Sequence, residues 1–84
     1  MQNTNVVDRE TVLIYIAKRL KEALALEEIL TAADVEYDVE PDTYRGGLIF
    51  ASERIGAFFY VLPEDEERAR EILRDHRYKP YTTR

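Results

Sequence analysis

Ala57-Phe58-Phe59-Tyr60-Val61-Leu62 runs directly into Pro63-Glu64-Asp65-Glu66-Glu67-Arg68-Ala69-Arg70-Glu71-Ile72-Leu73. The first part is a continuous apolar run of strand length, the pattern of a strand covered on both faces. The second part opens a helix. Pro63 suits the first turn, where a missing N–H costs little. Four acids follow at the positive end of the helix dipole, and Arg70, Arg74 and Arg77 approach the negative end. Glu64–Arg68 and Glu66–Arg70 are favourable four-residue pairs. Ala69, Ile72, Leu73 and His76 fall on one stripe, so the helix is predicted over Pro63–His76 with that stripe on the core. A buried strand feeding a helix is half of a βαβ arrangement.

The other half lies upstream. Val12-Leu13-Ile14-Tyr15-Ile16-Ala17 is a second continuous apolar run, again read as a covered, central strand. Lys18 to Ala33 follows without Gly or Pro and is rich in Leu, Ala, Glu and Lys, all good helix formers. Ala23, Leu26, Leu30 and Ala33 share one stripe. Leu20 and Leu24 lie well round the cylinder from Leu26, and Ile29 lies off the other side. This arc is wider than packing on one sheet requires, which points to a second subunit.

Between the two halves, Val35, Tyr37 and Val39 alternate with Glu36, Asp38 and Glu40, the pattern of a half-buried strand. The acidic outer face and Pro41, expected to end the strand, both suit an edge. Asp42–Gly47 reads as a loop, Leu48–Ser52 as an extra short strand and Glu53–Gly56 as a turn. Tyr78–Tyr81 is a short extended segment with Pro80 marking an edge. The order predicts an α+β split βαβ sandwich. One antiparallel sheet carries both helices on one face, with the extra strand between its second and third core strands. Neighbours in a strand point to opposite sides, so some of Leu13, Tyr15, Phe58 and Tyr60 must face away from the helices. That open face is read as an oligomer contact.

The chain has 84 residues, 45% of them hydrophobic, which fits one globular domain over 1–84 with Met1–Asn5 as a disordered arm. It has no cysteine, so disulfides, thiolate metal sites and a Cys nucleophile are excluded. No secretory signal, membrane-spanning run or lipidation motif is present; the longest apolar run, Thr11–Ala17, is strand-length. A cytoplasmic location is expected. The net charge is −5, distributed unevenly. Residues 34–67 carry 10 acids and 2 bases, whereas residues 68–84 carry 2 acids and 6 bases. The balance argues against a phosphate-backbone ligand and for opposite charges meeting within the fold or across a contact.

Candidate chemistry is sparse. His76 and Ser52 are the lone histidine and serine, and no recognisable pattern pairs them. His76 is read as a helix end with its ring half buried. Glu36, Asp38, Glu40 and Asp42 lack the calcium-loop pattern and are read as a solvated edge, so no metal is expected. Arg74, Arg77, Lys79 and Arg84 interleave with Tyr78 and Tyr81, but in an acidic chain this is not taken as a nucleic-acid platform. In the loop Tyr44-Arg45-Gly46-Gly47, two glycines let backbone N–H groups approach an anion and Arg45 can fork onto a phosphate or carboxylate. Arg45, Gly46 and Gly47 are therefore the candidate ligand residues, with a plain turn as the alternative. Tyr15, Tyr37 and Tyr60 are the candidates for a polar group on the open face, as an enzyme would need.

Two stretches together carry a resemblance. One is the buried first strand leading to Ala23, Leu30 and the exit Ala33-Asp34-Val35; the other runs from Tyr60-Val61-Leu62-Pro63-Glu64-Asp65 to Ala69-Arg70-Glu71-Ile72-Leu73. Over roughly Val12–Leu73 the chain resembles a family of small prokaryotic signal-transducing domains of unknown function. The family usually has Gly where Asp34 stands. The resemblance implies a ferredoxin-like fold, similar in topology to the trimeric nitrogen-regulatory signal proteins, with no catalytic residues or cofactor to carry over. The expectation is a non-catalytic module that self-associates as a dimer or trimer, with Leu20, Leu24, Phe58 and Tyr60 as interface residues. The alternative is a sensor of a small anionic ligand at Tyr44–Gly47.

Overall fold

The computed structural model describes residues 10–46 and 52–82. Among these, the chain forms strand β1 (Val12–Ala17), helix α1 (Leu20–Ala32), strands β2 (Tyr37–Gly46) and β3 (Ser52–Val61), a 3-10 turn (Pro63–Asp65) and helix α2 (Glu66–Asp75). The fold is α+β. The strands make a three-stranded antiparallel sheet in the order β1-β3-β2. The expected arm Met1–Asn5 lies outside the described residues.

Strand alternation sorts the sheet into two faces. Val12, Tyr15 and Ala17 on β1 share a face with Ala57, Phe59 and Val61 on β3 and with Tyr37, Val39 and Pro41 on β2. Both helices cover this face. Ala23, Leu26 and Leu30 of α1 and Ala69 and Leu73 of α2 join Ile14, Ala17, Phe59 and Val61 in one buried cluster. The register of β1 slips between Leu13 and Tyr15, leaving Ile14 as an extra residue. Such a bulge turns two successive side chains to one side. Ile14 is fully buried, and Tyr15 packs against the same cluster.

The central strand is β3, whereas β1 stands at one edge of the ladder. The apolar run of β1 is explained by what lies along that edge. The Tyr81 N–H donates to the Ile14 carbonyl at 2.7 Å, and the Tyr78 ring meets the Tyr15 ring edge-on at 5.7 Å. The Arg70 guanidinium, held by Glu66 at 3.0 Å, donates to the Tyr81 and Leu13 carbonyls. The C-terminal segment is thereby tied to β1.

The region between β2 and β3 departs from expectation. Pro41 does not end the strand: β2 continues through it to Gly46, and Glu53–Gly56 is strand rather than turn. A proline fits a ladder where its nitrogen faces an open edge, and β2 is an edge strand. In this prolonged ladder Tyr44 stands opposite Arg54 and Arg45 opposite Glu53. β1 stops at the level of Ala57, so the hairpin extends past it as a two-stranded arm. The expected short strand Leu48–Ser52 lies outside the described residues up to Ser52, which opens β3.

Both helices end in the same way. After α1, Asp34 has φ 60°, its N–H donates to the Thr31 carbonyl, and the Val35 N–H donates to the Leu30 carbonyl. After α2, Arg77 has φ 68°, its N–H donates to Arg74, and the Tyr78 N–H donates to Leu73. This paired bonding is the Schellman arrangement, in which the left-handed position is usually glycine. Arg68 donates to the Ala33 carbonyl and so caps α1 from α2. At the other end of α1, the Glu22 carboxylate reaches back to the Lys18 N–H at 3.1 Å.

Candidate functional site

Among the described residues, no helix lies over the second face of the sheet. Leu13 and Ile16 of β1, Arg54, Phe58 and Tyr60 of β3, and Asp38, Glu40, Asp42 and Tyr44 of β2 project there by alternation. Gly56 lies at the centre of the hairpin end of this face. A β-carbon there would stand 3.0 Å from Ile16 Cγ2 and 3.1 Å from both the Ala17 carbonyl oxygen and Tyr44 Cε1. The missing side chain lets the Tyr44 ring lie across the strand towards Ile16. Lys18 Nζ sits over that ring, 5.4 Å from its centroid, within cation–π range. Phe58 is therefore not bare: it is 8% exposed, although it points away from the helices.

The face is electrically lopsided. On the β2 edge, Asp38, Glu40 and Asp42 form a carboxylate row. The hydrogen bond with Asp38, then the like charges of Asp38 and Asp42, hold the Glu40 carboxyl above its ordinary range. Across the row, partial burial raises the Tyr60 hydroxyl, with the charges of Asp42, Glu40 and Asp38 adding to it. On the β1 edge, a cavity of about 660 Å³ is lined by Ile16, Lys18, Phe58, Lys79 and Tyr81 together with Tyr44 and Arg45. Glu22 also reaches it, but its carboxylate accepts the Tyr15 hydroxyl at 2.5 Å and the Lys18 N–H. Among the described residues Lys18, Arg45 and Lys79 enter no ion pair.

Several expected placements change. Arg45 and Gly46 are in β2, not in a loop; Gly47 lies outside the described residues. The glycine pair therefore offers no described cradle, and Arg45 instead shares the cavity with Lys18 and Lys79, which the sequence pattern had not joined to it. Tyr15 and Tyr37 turn towards the helices, where the Tyr37 hydroxyl donates to Glu27 at 3.2 Å, leaving Tyr60 on the open face. His76 is exposed rather than half buried, its Nδ1 3.0 Å from the Ile72 carbonyl oxygen. It ends a helix because the stripe it shares with Leu73 runs out at the left-handed turn. Among the described residues, no cluster of carboxylates and histidine has the geometry to hold a metal ion.

The four expected interface residues divide between two surfaces. Phe58 and Tyr60 are on the open sheet face. Leu20 and Leu24 are on α1, 75% and 56% exposed. Leu20 faces Ile55, itself 72% exposed, across an apolar groove of about 290 Å³ lined by Ala23, Val39 and Pro41. Among the described residues, no helix is long and apolar enough to cross a membrane. Comparison with models of protein families, with curated proteins and with solved structures finds no match to this chain.

Proposed function

We propose that this chain is a non-catalytic cytoplasmic module of ferredoxin-like topology that self-associates through its open sheet face and serves an interaction or regulatory role. One observation carries the reading: among the described residues, no helix lies over the sheet face that bears Leu13, Ile16, Phe58 and Tyr60. Leu13, Ile16 and Tyr60 remain half-buried there, and a second copy packed on this face would complete their burial. The ferredoxin-like reading is supported by the C-terminal segment, which runs beside β1 where a fourth strand of that topology belongs. The non-catalytic reading is supported by the place of His76 at an exposed helix end, with its Nδ1 3.0 Å from the Ile72 carbonyl oxygen.

Light scattering tests the reading. The wild type is expected at a multiple of the 9.9 kDa protomer mass. Tyr60→Glu should return it to the protomer, and Leu24→Glu should leave it assembled. A wild-type monomer at micromolar concentration overturns the proposal. The reverse mutational pattern moves the contact to α1.

A second reading draws on the cavity that Arg45 shares with Lys18 and Lys79: a sensor that holds a small phosphate- or carboxylate-bearing ligand there. Arg45→Ala should then preserve the fold and abolish the thermal shift that such a ligand produces.

A further inference from the structure

The open face has a charge pattern that selects one symmetric way of pairing it. Asp38, Glu40 and Asp42 are on the β2 edge, Lys18 and Lys79 are on the β1 side, and the apolar side chains lie between them, with Arg54 beyond them at the hairpin end opposite Tyr44. Register fixes their heights along the strands. Asp38 is level with Tyr60 and Leu13, and Glu40 is level with Phe58 and Ile16. Asp42 is level with Gly56, one step beyond the Ala17–Ala57 pair, which is the height of Lys18. Lys79 lines the same cavity as Ile16 and Lys18.

Two copies stacked face to face are related by a two-fold axis lying between the sheets. If that axis runs across the strands, β2 of one copy lies over β2 of the other. Two carboxylate rows that already repel within one protomer would then be desolvated against each other, a costly arrangement. If the axis runs along the strands, β2 of one copy lies over β1 of the other at the same height. Each acidic row then meets Lys18 and Lys79, and the apolar strip of Leu13, Ile16, Phe58 and Tyr60 closes on its counterpart.

We propose that two copies of this chain pack open face to open face about a two-fold axis parallel to the strands, with the Asp38–Glu40–Asp42 row of each seated on the Lys18–Lys79 edge of the other. This inference rests on the self-association reading and adds the surface, the stoichiometry and the symmetry. At the usual strand spacing and rise, the three strands present a plane of about 300 Å². A standard contact buries about 800 Å² per partner, so even with the arm and the C-terminal segment contributing, the dimer is of modest affinity and salt-sensitive.

A charge-swap experiment tests it. One variant carries Glu40→Lys and Asp42→Lys; the other carries Lys18→Glu and Lys79→Glu. Circular dichroism and melting establish that each is folded; if either is not, Glu40→Gln with Asp42→Asn and Lys18→Gln with Lys79→Gln replace them, read through loss of the salt dependence. Each reversed variant alone places like charges at both edges of the contact and should dimerise at least about tenfold more weakly than the wild type. Mixed in equal amounts, the two should form a heterodimer, seen by native mass spectrometry, because both edges are again opposite in sign. A wild-type dimer that neither variant weakens, or a mixture that forms no heterodimer, overturns this inference and leaves self-association standing. A wild-type trimer overturns the two-fold axis, and a wild-type monomer overturns both readings. If the lysine reversal instead abolishes a thermal shift produced by inorganic phosphate or citrate, with no change in assembly, the lysine edge is a small-anion site and the dimer contact is wrong.

Discussion

Replacing Arg77 with glycine should raise the stability of this protein, although it deletes an exposed side chain and adds no contact. Arg77 occupies the left-handed region at φ 68°, where it closes α2 through its own N–H and that of Tyr78, each bonded at 2.9 Å. The β-carbon of an L-residue costs roughly 1–2 kcal/mol in that region. Glycine removes the clash but loses roughly 0.5–1 kcal/mol more backbone freedom on folding. The balance is about 0.5–1 kcal/mol in favour of glycine, with both capping bonds kept because they are main-chain. Arg77 also carries a positive charge near the helix C-terminus, so the clean comparison is Arg77→Gly against Arg77→Ala, which both lack it. In a domain of this size the difference corresponds to about 2–8 °C in melting temperature, read by calorimetry or circular dichroism. Asp34→Gly should show a smaller gain over its wild type, because aspartate tolerates this conformation better than arginine. A glycine variant at 77 that melts at or below the alanine variant would refute the reasoning.

Leu73→Ala should cost about 2–5 kcal/mol by denaturant titration, because Leu73 is fully buried between α2 and the sheet and its loss leaves a cavity. Gly56→Ala should cost about 1–3 kcal/mol, because the new methyl meets the Ala17 carbonyl as well as Ile16 and Tyr44; an unchanged midpoint would show that the Tyr44 ring does not lie across the strand. Burial, then the bond to Glu22, pushes the Tyr15 hydroxyl far above the ordinary tyrosine range. Above about pH 10 the unfolded chain releases this proton while the folded chain keeps it, so stability falls as pH rises. Tyr15→Phe should flatten that fall in denaturation curves taken on both sides of pH ~10, and an identical slope would place the hydroxyl in solvent.

Local periodicity carried much of the architecture. The apolar run at Val12–Ala17 is β1, the run at Ala57–Leu62 is the C-terminal part of β3 up to Val61, and the three- and four-residue stripes at Ala23–Leu30 and Ala69–Leu73 are the faces that α1 and α2 bury. Both patterns report burial of a contiguous segment, which depends on neighbours a few residues apart. The acidic alternation at Asp38 and Glu40 likewise marked β2 as an edge.

What the local pattern does not contain is pairing at long range. Pro41 and the Glu53–Gly56 stretch read as breaks, yet the β2–β3 ladder runs through both, because a proline nitrogen is free to face an open edge and each strand supplies the other's partners. The helix ends at Asp34 and Arg77 were equally silent, since their left-handed backbone is imposed by capping bonds rather than announced by glycine. The site was legible only as separate parts. Residue type alone points to Arg45 without Lys18 and Lys79, and joins Leu20 and Leu24 to Phe58 and Tyr60. Chain folding placed the first three around one cavity and divided the other four between two surfaces. Residue type and spacing determine which segments hide from water. The position of a charge or an apolar side chain relative to those on another strand depends on register, which is set across the sheet and not along the chain.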